Sequence, residues 1–393
     1  MAIKKTLLTV AVLFTAVSAF CAEYRIMQPS QSVESANTFA LNLYKKVAGD
    51  GNIILSPYGV YTAFAMLYEG AAGYSLSEFR EVFGFGEKNS AFSDDIKRQM
   101  QTYRPSRSGY GLFLANSLWI NSSFSVYSSY KKTSEEDFGS EITPLKFSKA
   151  SSVYAINKRA SKNTADKIRD LIPAGTLNDG TKLVLVNASY FKAKWQNAFV
   201  ASKTVKDDFY IGDGAKVKAD IMYQRGRFGY REDNKIQILK MKYAAANSNF
   251  SMTVILPKEN NILTAENYLL ENGVKNIDKT LEEETLIVYF PKFESVWKSD
   301  IAGAMRELGI KSSDYSKISK NWLALSNVFH GSFVKVDEEG AETVSAGKTA
   351  SSFREEPPAV FRADHPFMYV ITDDSDGKII FIGKMINPSA QDN

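Results

Sequence analysis

Residues 337–361 read DEEGAETVSAGKTASSFREEPPAVF, and this stretch suits neither a core strand nor an ordinary loop. It is too polar for a core strand and, over residues 341–353, too uncharged for a normal solvated loop. Side chains alternate faces along a strand, so Ala341, Thr343, Ser345, Gly347, Thr349, Ser351 and Phe353 share one face. Both charges, Glu342 and Lys348, fall on the other. A segment so patterned can lie exposed as a loop, or enter a sheet with one face buried and no charge desolvated. Pro357 and Pro358 close it, since neither can donate to a strand ladder. The same pattern also suits a plain surface linker, and the residues alone leave that alternative open.

At 393 residues the chain is long enough for a large core, and a prior of roughly 150 residues per domain suggests two or three domains. No boundary is visible, however: proline is scarce at 11 residues, charge blocks are short and no repeat recurs. A single interleaved domain over residues 22–393 follows, behind a leader. Within residues 1–21, Lys4 and Lys5 precede an apolar run from Leu7 to Phe20 that is too short for a membrane span and ends in small residues, the layout of a secretory signal. Cleavage after Cys21 or Ala22 predicts a secreted or periplasmic, extracellular-type protein with no cysteine and hence no disulfide. Removing Lys4 and Lys5 leaves 46 basic against 44 acidic residues, without the dense basic stripe of a nucleic-acid binder. Lys97, Arg98, Arg104 and Arg107 form a loose group that reads as a solvated face.

Helices come first along the chain and strands later. Ala36, Phe39, Ala40, Leu43 and Val47 recur at helical spacing over about 33–48. Ser56 followed by Pro57 supplies an N-cap and a first-turn proline, and Gly70 stands where a C-terminal glycine cap belongs. Between them the apolar residues cover more than one face, which predicts a centrally buried helix. Residues 153–172 give a further helical pattern. Strands are expected at 182–192, 250–256, 284–290, 332–337, 366–372 and 378–384, and Asn187 inside the first must find partners if buried. The class is α+β with a large, mainly antiparallel sheet.

Enzyme motifs are mostly absent, and a non-enzyme is expected. His330 and His365 stand without metal-ligand spacing, the Gly-x-Ser-x-Gly elbow fails at Gly73-Tyr-Ser-Leu-Ser, and no phosphate or dinucleotide loop occurs. No metal and no cofactor is expected.

Several blocks together resemble the serpins, from about Ser32 to Pro388. They are Asn52-Ile-Ile-Leu-Ser-Pro-Tyr-Gly-Val-Tyr-Thr-Ala-Phe-Ala-Met-Leu; Ile156-Asn157 through Thr164, Lys167 and Ile168; Leu185-Val-Asn-Ala-Ser-Tyr-Phe-Lys-Ala-Lys-Trp195; Val334-Lys-Val-Asp-Glu-Glu-Gly-Ala-Glu342; Phe361-Arg-Ala-Asp-His-Pro-Phe367; and Phe381-Ile-Gly-Lys-Met-Ile-Asn-Pro388. With the leader and the missing disulfides, the resemblance is to a secreted bacterial member. It implies the serpin fold: a large central sheet, smaller sheets, about nine helices and an exposed reactive loop over about 338–361. It implies a monomer that traps proteases by inserting its cleaved loop as a new sheet strand. That mechanism is a standard example of strand addition and stored-strain release.

The resemblance also implies residue roles. Ser56, Asn187 and His330 match a polar shutter where the sheet opens, and Gly59 replaces a second shutter serine, a change expected to loosen it. Trp195, Lys292 and Glu338 match the breach at the top of the sheet, the last two as a salt bridge. Glu338, Glu339, Gly340, Ala341, Glu342, Thr343, Val344, Ser345 and Ala346 match the hinge, with Ala341 and Thr343 departing from the common residues but small enough to bury. In inhibitory members the scissile residue lies fourteen positions after the hinge glycine, which selects Arg354 followed by Glu355; counting back from Pro366 points to Glu355 instead. The hinge side sets the insertion length, so the first count is preferred. Arg354 suits trypsin-like serine proteases, with Ser352 and Phe353 as subsite neighbours. Phe353 equally suits papain-like cysteine proteases, and a noninhibitory carrier or chaperone is the remaining alternative.

Overall fold

The computed structural model describes residues 31–86, 90–103, 110–212, 214–244, 249–339 and 357–390. In chain order the elements are α1 (Gln31–Val47), β1 (Ile53–Leu55), α2 (Pro57–Gly70), α3 (Gly73–Phe83), α4 (Ser90–Thr102), β2 (Gly111–Asn121), α5 (Ser128–Phe138), β3 (Ile142–Leu145), α6 (Ala150–Asn163), β4 (Leu183–Lys192), a 3-10 turn (Ala201–Lys203), β5 (Val205–Gly212), β6 (Ala215–Glu232), β7 (Ile236–Lys242), β8 (Phe250–Pro257), α7 (Ile262–Asp278), β9 (Glu282–Pro291), β10 (Phe293–Asp300), α8 (Ala302–Leu308), β11 (Leu325–Val336), β12 (Ala359–Arg362), β13 (Phe367–Asp373) and β14 (Lys378–Met385). This is the expected α+β architecture, with eight α-helices among the described residues. No helix among them is long and apolar enough to cross a membrane.

Two sheets organise the chain. The larger has nine strands in the order β1-β14-β13-β8-β7-β6-β9-β12, with β5 beside β6, and is antiparallel at every pairing except β9 with β12. The smaller runs β10-β11-β4-β2-β3, and its central pair, β11 with β4, is parallel.

α2 packs between the sheets, touching β14 on one side and β4 and β2 on the other. Every residue of α2 except Glu69 is buried, as its all-round apolar pattern requires. On β4, Leu183 and Leu185 join the core shared with α2, while Val184, Val186, Ala188 and Tyr190 pack under α6 with Ile156, Ile168 and Leu171. With both faces covered, the strand reads as an unbroken apolar run.

Local differences from the sequence reading have physical causes. α6 ends at Asn163, short of residue 172, because Ala165, Asp166 and Asp170 adopt positive φ. The Asn157 side chain then clamps both backbone groups of Ile172, so Ile168 to Ile172 cover the sheet as a tied-down loop. Gly70 is the last helical residue and no left-handed cap: a Cβ there would lie 2.2 Å from Ile318 Cγ1, so close packing is what excludes a side chain. Lys97 and Arg98 pair with Asp137 and Asp95 on a solvated face, while Arg104 and Arg107 lie outside the described residues.

Candidate functional site at the seam of the five-stranded sheet

The parallel pairing of β11 with β4 makes a seam through the middle of the sheet, with His330 opposite Asn187 and Val334 opposite Phe191. Each outer neighbour of the seam, β10 and β2, is antiparallel to its partner. The chain leaves β11 at Val336, at the end where β4 also finishes. A strand folding back from that point between β11 and β4 would run antiparallel to both, the pairing a short connection permits.

A buried polar chain crosses the seam. The backbone N–H of Ser56 donates to His330 Nε2 at 3.1 Å, so the ring proton sits on Nδ1 and is donated to Asn187 Oδ1 at 2.7 Å. Asn187 Nδ2 donates to Asn116 Oδ1 on β2 at 2.6 Å, Asn116 Nδ2 to Thr62 Oγ1 at 2.9 Å, and the Thr62 hydroxyl to the Gly59 carbonyl at 2.9 Å. Ser189 donates to the same Asn187 Oδ1 at 3.0 Å. Ser56 Oγ accepts from Gly59 N–H as the α2 cap and donates to the Ile380 carbonyl, tying the network to β14. Burial pushes the His330 imidazole down to about 3, so it is neutral at ordinary pH. Parting β11 from β4 breaks the His330–Asn187 bond.

Gly59, the position where a missing serine is expected to loosen the network, faces the Ser189 hydroxyl of β4. A Cβ at this position would fall 2.2 Å from Ser189 Oγ and 2.6 Å from Asn187 Oδ1, so β4 supplies a hydroxyl in the space an α2 side chain would fill.

At the top of the seam, Trp195 just beyond β4 holds the residues just beyond β11. Its indole N–H donates to the Asp337 carbonyl at 2.8 Å and its backbone N–H to the Glu339 carbonyl at 2.9 Å. The ring stacks on Tyr243 with centroids 4.3 Å apart. Lys292 Nζ meets Glu338 Oε2 at 2.8 Å, and the Thr204 hydroxyl donates to Glu338 Oε1 at 2.9 Å. Burial raises the Glu338 carboxyl, but the hydrogen bonds from Lys292 and Thr204 outweigh it and hold the group below its usual range. Lys335 pairs with Asp337 at 3.3 Å, adding a second ion pair at the same level.

A sequence model described as serpin (serine protease inhibitor) matches residues 34–388. The chain belongs to the serpin family. It is 31% identical over 382 residues to an uncharacterized serpin-like protein of Thermococcus kodakarensis, covering 93% of this chain and 88% of that one. It is 32% identical over 373 residues to human antithrombin-III, covering 90% and 80%. Among solved structures it is similar to Serpin48 of the insect Tenebrio molitor, with a TM-score of 0.81 at 26% identity, covering 92% and 99%. Membership supports protease inhibition in general, and serpins are otherwise non-enzymatic binding proteins.

Within this serpin the structure brings Ser56, Asn187 and His330 into one network, and Trp195, Lys292 and Glu338 to the top of the seam, with Glu339 beside them. Gly340 to Ala346, Ser352, Phe353, Arg354 and Glu355 lie outside the described residues. The sequence reading missed Thr62, Asn116, Ser189 and Thr204. Asn116 had a usable signal, a carboxamide within the apolar run of β2, directly opposite Asn187 in register. The hydroxyls had none, because serine and threonine occur throughout this chain.

Proposed function

We propose that this serpin is an irreversible suicide-substrate inhibitor of trypsin-like serine proteases, secreted or periplasmic after removal of residues 1–21, and acting as a monomer. The parallel seam carries the proposal. The loop leaves β11 beside the parallel β11–β4 pair, between which a strand would fit antiparallel to both neighbours, and residues 341–353 carry one face free of charged side chains to bury. Arg354 is the bait and Glu355 the first residue released. A protease that cleaves after Arg354 frees residues 340–354 to enter the seam, and the acyl-enzyme is carried along before its hydrolysis completes. His330–Asn187 and the Trp195 bonds to Asp337 and Glu339 hold the seam shut until then.

Mixing the secreted form with trypsin tests this directly. An SDS-resistant covalent complex, with a released peptide beginning at Glu355, is expected. Clean cleavage with trypsin activity retained would overturn inhibition and favour a noninhibitory binding serpin. A complex formed with papain-like proteases alone would move the target to the cysteine class, which Phe353 also suits.

A further inference from the structure

We propose that the cavity over the top of the seam, beside the loop that follows α6, binds a small oxyanion of the phosphate class. This goes beyond protease inhibition, and only its effect on strand insertion rests on the proposed function.

Strand alternation builds the cavity. Tyr190 on β4 lies opposite Phe333 on β11, and both side chains turn toward α6, packing with Ile156 and Ala160. Two residues further along each strand, the exposed Lys192 and Lys335 project from the same face. Lys167, in the loop after α6, closes the third side with its Nζ 5.0 Å from the Phe333 ring centroid. With Asp337 and Glu339 at the top, these residues line a cavity of about 170 Å³. One water needs only about 10–15 Å³, so a tetrahedral anion has room.

The donors around it are left over. Tyr190 is only 5% exposed, yet its hydroxyl has no hydrogen-bond partner among the described residues. With the ring packed on Phe113 and Phe333, the hydroxyl end meets the cavity. A buried hydroxyl left unpaired is unfavourable, and native proteins normally give it a partner. Burial raises this group above its usual range, so it is a protonated donor at ordinary pH. Lys167 and Lys192 meet no carboxylate among the described residues; Lys167 lies over Phe333 and Lys192 over Tyr110, each at 5.0 Å.

Nearby acids do not cancel these cations. Asp337 pairs with Lys335 at 3.3 Å and accepts the Glu339 N–H at 3.0 Å, while Glu339 accepts from the Tyr110 hydroxyl at 3.4 Å. Lys194 stands 5.3 Å from the same Tyr110 ring, and Glu294 lies 3.5 Å from Lys335. Four lysines thus face three carboxylates, an excess of one positive charge. Lysine binds phosphate as a point charge, and the Tyr190 hydroxyl adds a neutral donor.

Position ties the site to the seam. Lys192 belongs to β4 and Lys335 to β11, so an anion between them spans the two strands that must part. A strand inserted there moves the lysines roughly 4.8 Å further apart, and the anion therefore favours the closed sheet.

Inorganic phosphate is the probe, its binding followed by phosphorus NMR line broadening in chloride of matched ionic strength. Phosphate also stabilises proteins by exclusion from their surface, so melting temperatures are compared between the intact protein and Tyr190→Phe/Lys192→Gln, which keeps the ring packing. Saturable one-site binding is expected, weakened about tenfold or more in the variant, with a smaller phosphate-dependent rise in melting temperature. Lys167→Gln should weaken binding as well. No saturable binding to the intact protein, or equal affinity in the double variant, would overturn the site. Protein nicked at Arg354 that has taken up its loop, as its raised melting temperature reports, should bind about tenfold more weakly, and undiminished binding would overturn the link to the seam. If phosphate binds the intact protein but nicking leaves the melting temperature unchanged, insertion fails and the anion site stands.

Discussion

Between pH 7.5 and pH 5, burial of His330 is expected to make acidification destabilise this serpin. The ring is fully buried and neutral, with a folded value of about 3 against about 6.5 for an unperturbed histidine. As pH falls through about 6.5 the unfolded chain takes up the proton first, so the folded state loses stability from there until pH approaches 3. At pH 5 those two values give a loss of about 2 kcal/mol, with a limit on the order of 5 kcal/mol below both. The geometry gives the reason: Nε2 already accepts the Ser56 N–H, so a second ring proton sets donor against donor in a fully buried site, directly beneath the seam. Urea midpoints at pH 7.5, 6 and 5 for the native protein and His330→Gln separate this group from the carboxylates. The variant is expected to be weaker at pH 7.5, having lost the bond to Asn187, but its stability should fall about 2 kcal/mol less by pH 5. Parallel pH profiles for the two proteins would refute the assignment.

Gly59→Ala should destabilise by about 1–3 kcal/mol despite alanine's better helix propensity, because its Cβ meets Ser189 Oγ at 2.2 Å. Adding Ser189→Ala should return part of that loss, measured as a non-additive double-mutant cycle. Trp195→Phe removes the indole bond to Asp337 and should cost about 1 kcal/mol in melting experiments while speeding loop insertion, read as faster loss of inhibitory activity on warming. Finally, protein nicked at Arg354 should melt far above the intact form, and an unchanged melting temperature would exclude insertion.

Much of the fold was readable because its signals are local. Ser56 and Pro57 open α2, and both-face burial of β4 shows as the run Leu183 to Val186. Long strands with one wet face were harder: β6, 18 residues with two glycines and several charges, gives no clean alternation. The segment after α6 was misread because Ile168 and Leu171 are apolar for the sheet's sake, while positive φ at Ala165 and Asp170 breaks the helix. Periodicity cannot separate those two causes.

By itself the sequence determined the class and the family resemblance, since each depends on residue types at fixed spacing along one chain. Tertiary structure decided which partners those residues meet. That Ser189 on β4 occupies the space beside Gly59, that Asn116 and Thr62 complete the bonding of Asn187, and that Lys192 and Lys335 line one cavity all follow from strand register between segments far apart in sequence. Register is set by packing and ladder bonding across the whole sheet, and no single segment contains that information.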